Sequence, residues 1–162
     1  MFADLHMHTR FSDGTFTPEE LAALGKQRGL AAMSLTDHDT VEGCARMADA
    51  CDVQGIQFIT GTELTTELNG CELHLLGYGV DVENQKLLAE TARYQTVRQG
   101  RIREMVARLN SLNIPLDADT VFALANCRSP GRPHVARALV QEGLCGSLDE
   151  AFERFLKVGR PA

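Results

Sequence analysis

Three times within its first 63 residues the chain runs a short apolar stretch into side chains that ligate metals. Residues 2–8 read as a first strand and finish on His6 and His8. Residues 30–36 read as a second, buried parallel strand, followed by Asp37, His38 and Asp39. Residues 56–60 read as a third, leading into Gly61, Thr62 and Glu63. Strands alternating with helices build a parallel sheet, and in such α/β folds ligands bind at the carboxyl ends of the strands. Three strand ends thus aim imidazoles and carboxylates at one mouth.

The segments between the strands carry helix signals. Thr17-Pro18-Glu19-Glu20 opens a helix over 18–28: Thr17 caps, Pro18 takes the first turn, Glu20 completes a capping box and Gly29 stops the run. A second helix is expected over 41–53, ended by Gly55. Asn69-Gly70, between arms 63–68 and 72–80, is a hairpin turn. Pairing symmetric about that turn returns His74 to Thr65 and Glu63, whereas a one-residue slip would turn it to the other face.

Strand side chains alternate with period two, so His6 and His8 share a face while Met7 turns into packing. The turn at Ser12-Asp13-Gly14 folds Asp13 back to the same mouth. Neutral imidazoles with a nearby carboxylate suit zinc, manganese or iron. Taken singly, the two histidines could equally be half-buried strand residues. For Asp37 and Asp39 a turn or helix-capping carboxylate competes with a direct role, and His74 divides between ligand and core histidine.

From about residue 83 the character changes. Leu87, Leu88, Ala92, Val97, Ile102, Met105, Val106 and Leu109 fall at helical spacing over 83–112, with Arg93, Arg98, Arg101, Arg103 and Arg108 on the other face. Shorter helices are expected over 117–125, 133–142 and 148–156, the last with a second capping box at Ser147-Leu148-Asp149-Glu150. The expected layout is an α/β part, 1–82, followed by an all-helical part, 83–162. A net charge of -6 argues against stable binding of duplex nucleic acid by phosphate attraction. No apolar run reaches membrane-spanning length, and the first strand starts almost at Met1, leaving no room for a signal peptide; the expected location is cytoplasmic. The five cysteines contain no Cys-x-x-Cys pair, so free thiols are expected, without a catalytic or zinc role.

Four stretches together resemble the PHP (polymerase and histidinol phosphatase) family: Asp4-Leu5-His6-Met7-His8-Thr9 with Ser12-Asp13-Gly14; Thr36-Asp37-His38-Asp39-Thr40; Gly61-Thr62-Glu63; and Glu72-Leu73-His74-Leu75-Leu76-Gly77-Tyr78. The resemblance implies part of a distorted (β/α)7 barrel with two or three divalent metals at the strand ends, manganese first, with zinc, iron or magnesium as alternatives. It implies that His6, His8 and Glu63 hold one metal, that Glu63 bridges to a second shared with His74, and that Asp13 and His38 hold a third. Asp4 and Asp37 would orient imidazoles by accepting their other ring proton. The implied chemistry is phosphoester hydrolysis by metal-bound hydroxide, with no protein nucleophile.

Gly131-Arg132-Pro133-His134-Val135-Ala136-Arg137 resembles the branch containing nucleoside 3′,5′-bisphosphate phosphatases and short-RNA 5′ exonucleases, which implies a nucleotide or short oligonucleotide substrate. Arg101, Arg103, Arg132 and His134 are candidates for a second phosphate, although a solvated basic face and a capping histidine remain open readings. The family pattern continues with a further histidine and an Asp-x-His that this chain does not reach, and three strands plus a hairpin cannot close such a barrel. The expectation is an N-terminal part whose missing half is a continuation or a complementing chain, inactive if alone. Two alternatives follow: a histidinol-phosphatase-like monoesterase, or a non-catalytic metal-stabilised scaffold.

Overall fold

A sheet in the order β1-β2-β3-β4 carries the first part of the computed structural model, which describes residues 2–162. Its strands are β1 (Phe2–Met7), β2 (Leu30–Leu35), β3 (Gln57–Leu68) and β4 (Cys71–Tyr78). The pairs β1–β2 and β2–β3 are parallel and β3–β4 is antiparallel. Helices α1 (Pro18–Gln27) and α2 (Cys44–Gln54) make the crossovers that parallel neighbours require. This is the α/β class expected.

The capping box at α1 forms as read: Thr17 Oγ1 accepts from the Glu20 N–H, and Glu20 accepts from the Thr17 N–H at 2.8 Å. Met7, Leu21, Met33, Leu35, Met47, Cys51 and Ile56 form the apolar core of this part. Each fully buried side chain of this size contributes about 1.5–3 kcal/mol. On the surface, Arg46 of α2 makes two hydrogen bonds to Glu19 of α1, which hold the Glu19 carboxyl down to about 2. Both groups are half exposed, so the pair adds at most about 1 kcal/mol.

The third strand does not end at residue 60. It continues to Leu68, pairing with β2 through Thr60 and with β4 from Gly61 onward. Gly61 sits at this change of partner. A Cβ there would lie 2.7 Å from Ser34 Oγ and 2.8 Å from the Leu35 carbonyl oxygen, so a side chain would push β3 off β2 just before Glu63. The hairpin register is the symmetric one, with Thr65 opposite His74, and Asn69 and Gly70 both have positive φ, as a type I′ turn demands.

Helix α3 (Gln85–Ser111) is followed by α4 (Ala118–Ala125), α5 (Arg132–Gln141) and α6 (Leu148–Ala151), the last running into a π-helical turn at Phe152–Leu156. Contacts divide the chain into one compact unit up to Gln95 and another over Thr96–Ala162. The division falls inside α3, later than 82/83, because Gln95 donates from Nε2 to the Asp39 carbonyl at 3.0 Å and ties the first turns of α3 to the sheet unit. The buried stripe of α3 runs through Thr91, Gln95, Arg98, Ile102, Val106 and Leu109. The expected apolar face is therefore corrected in its first half: Val97 is exposed, and Arg98, expected on the solvent face, is buried. Gln95 is buried there to reach the Asp39 carbonyl, a polar reason that periodicity cannot register.

The second unit has its own core, including Ile102, Val106, Leu109, Val121, Val135, Leu139, Phe155 and Leu156. The capping box at α6 is half formed: Ser147 Oγ accepts from the Glu150 N–H, but Glu150 turns past Ser147 to accept from the Gly146 N–H at 2.7 Å. All five cysteines are free, and burial pushes the thiols of Cys44, Cys51 and Cys145 up, away from nucleophilic use. Among the described residues no helix is long and apolar enough to cross a membrane.

Candidate metal centre

Glu63 is 4% exposed and is the hub of the site. Its Oε2 lies 2.9 Å from His6 Nε2, 3.1 Å from His8 Nε2 and 3.6 Å from His38 Nδ1, while its Oε1 lies 2.6 Å from His74 Nδ1. One carboxylate thus faces four imidazoles, three on one oxygen and one on the other. Asp13 adds a second acid, 3.7 Å from His8 Nδ1 and 3.6 Å from His38 Nε2. These donors form three overlapping groups that can each hold an ion: His6, His8 and Glu63; His8, Asp13 and His38; His38, Glu63 and His74.

Each ligand arrives by a local route. The register of β1 against β2 shifts between Asp4 and Met7, an irregularity of the kind that re-aims side chains, and the Nε2 atoms of His6 and His8 still meet at 3.1 Å. Beyond His8 the chain turns back on itself, with the Ser12 and Gly14 N–H groups both donating to the Thr9 carbonyl. Gly14 is packed so tightly that a Cβ would lie 2.2 Å from the His8 carbonyl oxygen, which holds Asp13 close to His8. His38 lies where the chain after β2 makes a parallel bridge to Glu63. His74 sits opposite Thr65, diagonal to Glu63 on the same face of the hairpin.

The geometry fits a coordination shell. Metal–donor bonds of about 2.1 Å place neighbouring donors about 3.0–3.4 Å apart. The triangle of His6 Nε2, His8 Nε2 and Glu63 Oε2 has edges of 2.9, 3.1 and 3.1 Å. Nitrogen and carboxylate donors of this kind suit manganese, iron or zinc.

Around the ligands the outer contacts differ from those expected. Asp37 was expected to accept an imidazole proton; instead it accepts from the Thr9 N–H, Thr9 Oγ1 and Ser12 Oγ. Ser12 Oγ lies 3.5 Å from His8 Nδ1, so the imidazole is reached only through a hydroxyl. Burial pushes the Asp37 carboxyl up, against the pull of those hydrogen bonds. Asp4 accepts from the backbone N–H of His6 at 3.2 Å, again not from a ring. The orienting carboxylate that does touch a ring is Glu72, 3.2 Å from His74 Nε2. A proton there leaves Nδ1 to face Glu63. Its position two residues before His74, on the same strand face, is the sequence signal that marks it.

In the helical unit, Arg101 and Arg132 line one cavity of about 240 Å³ together with Arg108, Lys157 and Arg160. Neither Arg103 nor His134 lines it. The Arg103 guanidinium lies over the Phe122 ring at 4.5 Å. His134 is 1% exposed and its Nδ1 accepts from the Gly131 N–H at 3.0 Å, which is the capping role.

An α/β sheet unit with clustered imidazoles and carboxylates at its strand ends defines a metal-binding class of protein. Residues 4–99 match the family model for the PHP domain, and the chain belongs to that family. It is 35% identical over 159 residues to a 5′-3′ exoribonuclease of Haemophilus influenzae, covering 98% of this chain and 58% of that protein. Over 161 residues it is 34% identical to a 3′,5′-nucleoside bisphosphate phosphatase of Chromobacterium violaceum, covering 98% of this chain and 56% of the relative. A solved structure from Bifidobacterium adolescentis, described as a metal-dependent phosphoesterase, superposes with a TM-score of 0.88 at 33% identity, over 97% of this chain and 56% of that one. The chain spans just over half the length of these relatives.

Proposed function

We propose that this chain supplies the metal-holding part of a phosphoesterase that removes the 3′ phosphate from nucleoside 3′,5′-bisphosphates, with short 5′-phosphorylated RNA as a further substrate. The observation that carries the reading is the division of Glu63: Oε2 faces His6, His8 and His38 while Oε1 faces His74, so that the carboxylate could hold one cation through each oxygen. His6 and His8 would complete one site, His74 the second, and Asp13 with His38 a third. Divalent ions, manganese by preference, would supply an activated water and offset charge on the phosphoryl oxygens.

The chain's own residues fix the geometry. Glu72 holds His74 with Nδ1 inward, and Gly14 keeps the Asp13 turn against His8. Arg101 and Arg132 are proposed to take the second phosphate in the basic cavity of the helical unit, where planar guanidinium groups match phosphate oxygens. His134 supports them by fixing the start of α5, the helix on which Arg132 stands. In this reading 83–162 is the substrate-side insertion of a (β/α)7 barrel, whose other strands and ligands lie in the part of the relatives that this chain does not span.

The test is a substrate panel with Mn²⁺ on the chain joined to, or complemented by, the part that its relatives have and it does not span: adenosine 3′,5′-bisphosphate, a 5′-phosphorylated trinucleotide, AMP and histidinol phosphate. Phosphate release from the bisphosphate is expected to exceed that from single-phosphate compounds by about tenfold or more, and Arg132→Ala is expected to erase that margin through loss of about 1.5–3 kcal/mol of charged hydrogen bonding. Preference for histidinol phosphate would replace the nucleotide reading. Metal binding without turnover would favour the scaffold.

A further inference from the structure

The two aspartates beside His38 make the same contact twice. Asp37 Oδ1 accepts from the Thr9 N–H at 2.7 Å and Oδ2 from Thr9 Oγ1 at 2.5 Å. Asp39 Oδ1 accepts from the Thr65 N–H at 2.8 Å and Oδ2 from Thr65 Oγ1 at 2.8 Å. In each case both oxygens of one carboxylate are spanned by the amide and hydroxyl of one threonine. Asp37, Asp39 and Thr9 are at most 1% exposed.

The threonines stand beside ligands on different elements. Thr9 directly follows His8 at the exit of β1, and Thr65 lies two residues beyond Glu63 in β3, opposite His74. Between the two aspartates, the segment carrying His38 is laced to β3: the Glu63 N–H donates to the Asp37 carbonyl at 3.1 Å and the Asp39 N–H to the Glu63 carbonyl at 2.9 Å. Asp39 has φ of 51°, a left-handed conformation that disfavours most residues other than glycine and is accepted by aspartate. An extended strand would send residues 37 and 39 to the same face. The left-handed step at Asp39 accompanies their divergence to opposite neighbours of β2.

We propose that Asp37 and Asp39 are paired positioning residues, clamping Thr9 and Thr65 so that the segments bearing His8, His38 and Glu63 meet at ligand distance before any ion arrives. The inference rests on the metal-site reading and adds to it. Three ligands from three separate segments are set by two carboxylates that touch no ligand side chain in these contacts. Ser12, whose Oγ donates to Asp37 Oδ1 at 2.6 Å, extends the first clamp into the turn that carries Asp13.

The experiment compares the parent protein with Thr9→Val, Thr65→Val, Thr9→Ser, Thr65→Ser and Asp39→Asn. It reads the Mn²⁺ dissociation constant by electron paramagnetic resonance of free Mn²⁺, the visible absorption bands of the Co²⁺-loaded protein, and the melting temperature without metal. The valine variants are expected to bind Mn²⁺ about 10–100-fold more weakly with shifted Co²⁺ bands, while the serine variants, which keep the hydroxyl, stay within about threefold of the parent. Should a valine variant fail to fold, Asp39→Asn, which replaces one acceptor oxygen at constant shape, is expected to show the same weakening. Lowered melting temperatures with unchanged affinity and unchanged bands would overturn the clamps and leave the metal site standing. A parent that binds neither Mn²⁺ nor Co²⁺ would overturn the metal-site reading itself, and the clamps with it.

Discussion

Glu63→Gln is expected to lower Mn²⁺ affinity by about 100-fold or more. Loss of a group that only orients a ligand costs about 10–100-fold, and Glu63 faces all four histidines of the site. Its two oxygens face His6, His8 and His38 on one side and His74 on the other. An amide keeps one acceptor and puts an N–H₂ donor where the other stood, carrying no charge to offset a cation. The substitution holds the shape of the side chain, so the expected phenotype is a folded protein with an empty site. Isothermal titration with Mn²⁺, paired with far-ultraviolet circular dichroism, separates loss of binding from loss of fold. Parent-like affinity in this variant would show that the bridging role is wrong.

Metal removal is the second large effect. The ligands come from four places, the exit of β1, the segment after β2, β3 and β4, so an ion bound among them ties these elements together in the folded state only. Binding at a thousand times the dissociation constant adds about 4 kcal/mol. For a chain of this size each kcal/mol moves the melting temperature by about 2–4 °C, so chelation is expected to lower it by about 8–16 °C. Differential scanning calorimetry with Mn²⁺ and then with excess EDTA measures this directly. The shift should vanish in Glu63→Gln. An EDTA effect below about 2 °C in the parent would mean that no ion bridges these strands, since even binding at a hundred times the dissociation constant adds about 2.7 kcal/mol.

What was legible in the chain was local. The period-two spacing of His6 and His8, the turn at Asn69-Gly70 with His74 opposite Thr65, and the box at Thr17 and Glu20 each depend on neighbours a few residues apart. So the approach of His6, His8, His38 and Glu63 could be anticipated from strand ends, that of Asp13 from its turn and that of His74 from the symmetric hairpin register. What escaped depends on partners far away in sequence. Asp37 and Asp39 find Thr9 and Thr65 across 28 and 26 residues, and nothing in their immediate neighbours reveals it. The first half of α3 misled because Gln95 is buried to reach the Asp39 carbonyl, a polar reason for burial that hydrophobic spacing cannot detect. The exchange of partners along β3 was hidden for a related reason: Gly61 reads as a strand end, but here its missing side chain admits Ser34 and Leu35 at close range. His134 shows the opposite case, a residue whose capping position in the first turn of α5 was visible and which caps there.

Crystals soaked in Mn²⁺ and measured for anomalous scattering at the manganese edge test the central claim most directly. The account predicts an anomalous peak within about 2.0–2.4 Å of Glu63 Oε2, His6 Nε2 and His8 Nε2, with a second on the Oε1 side beside His74 Nδ1. Ordered density for Glu63 and the four histidines with no anomalous peak among them, at saturating Mn²⁺, would contradict it.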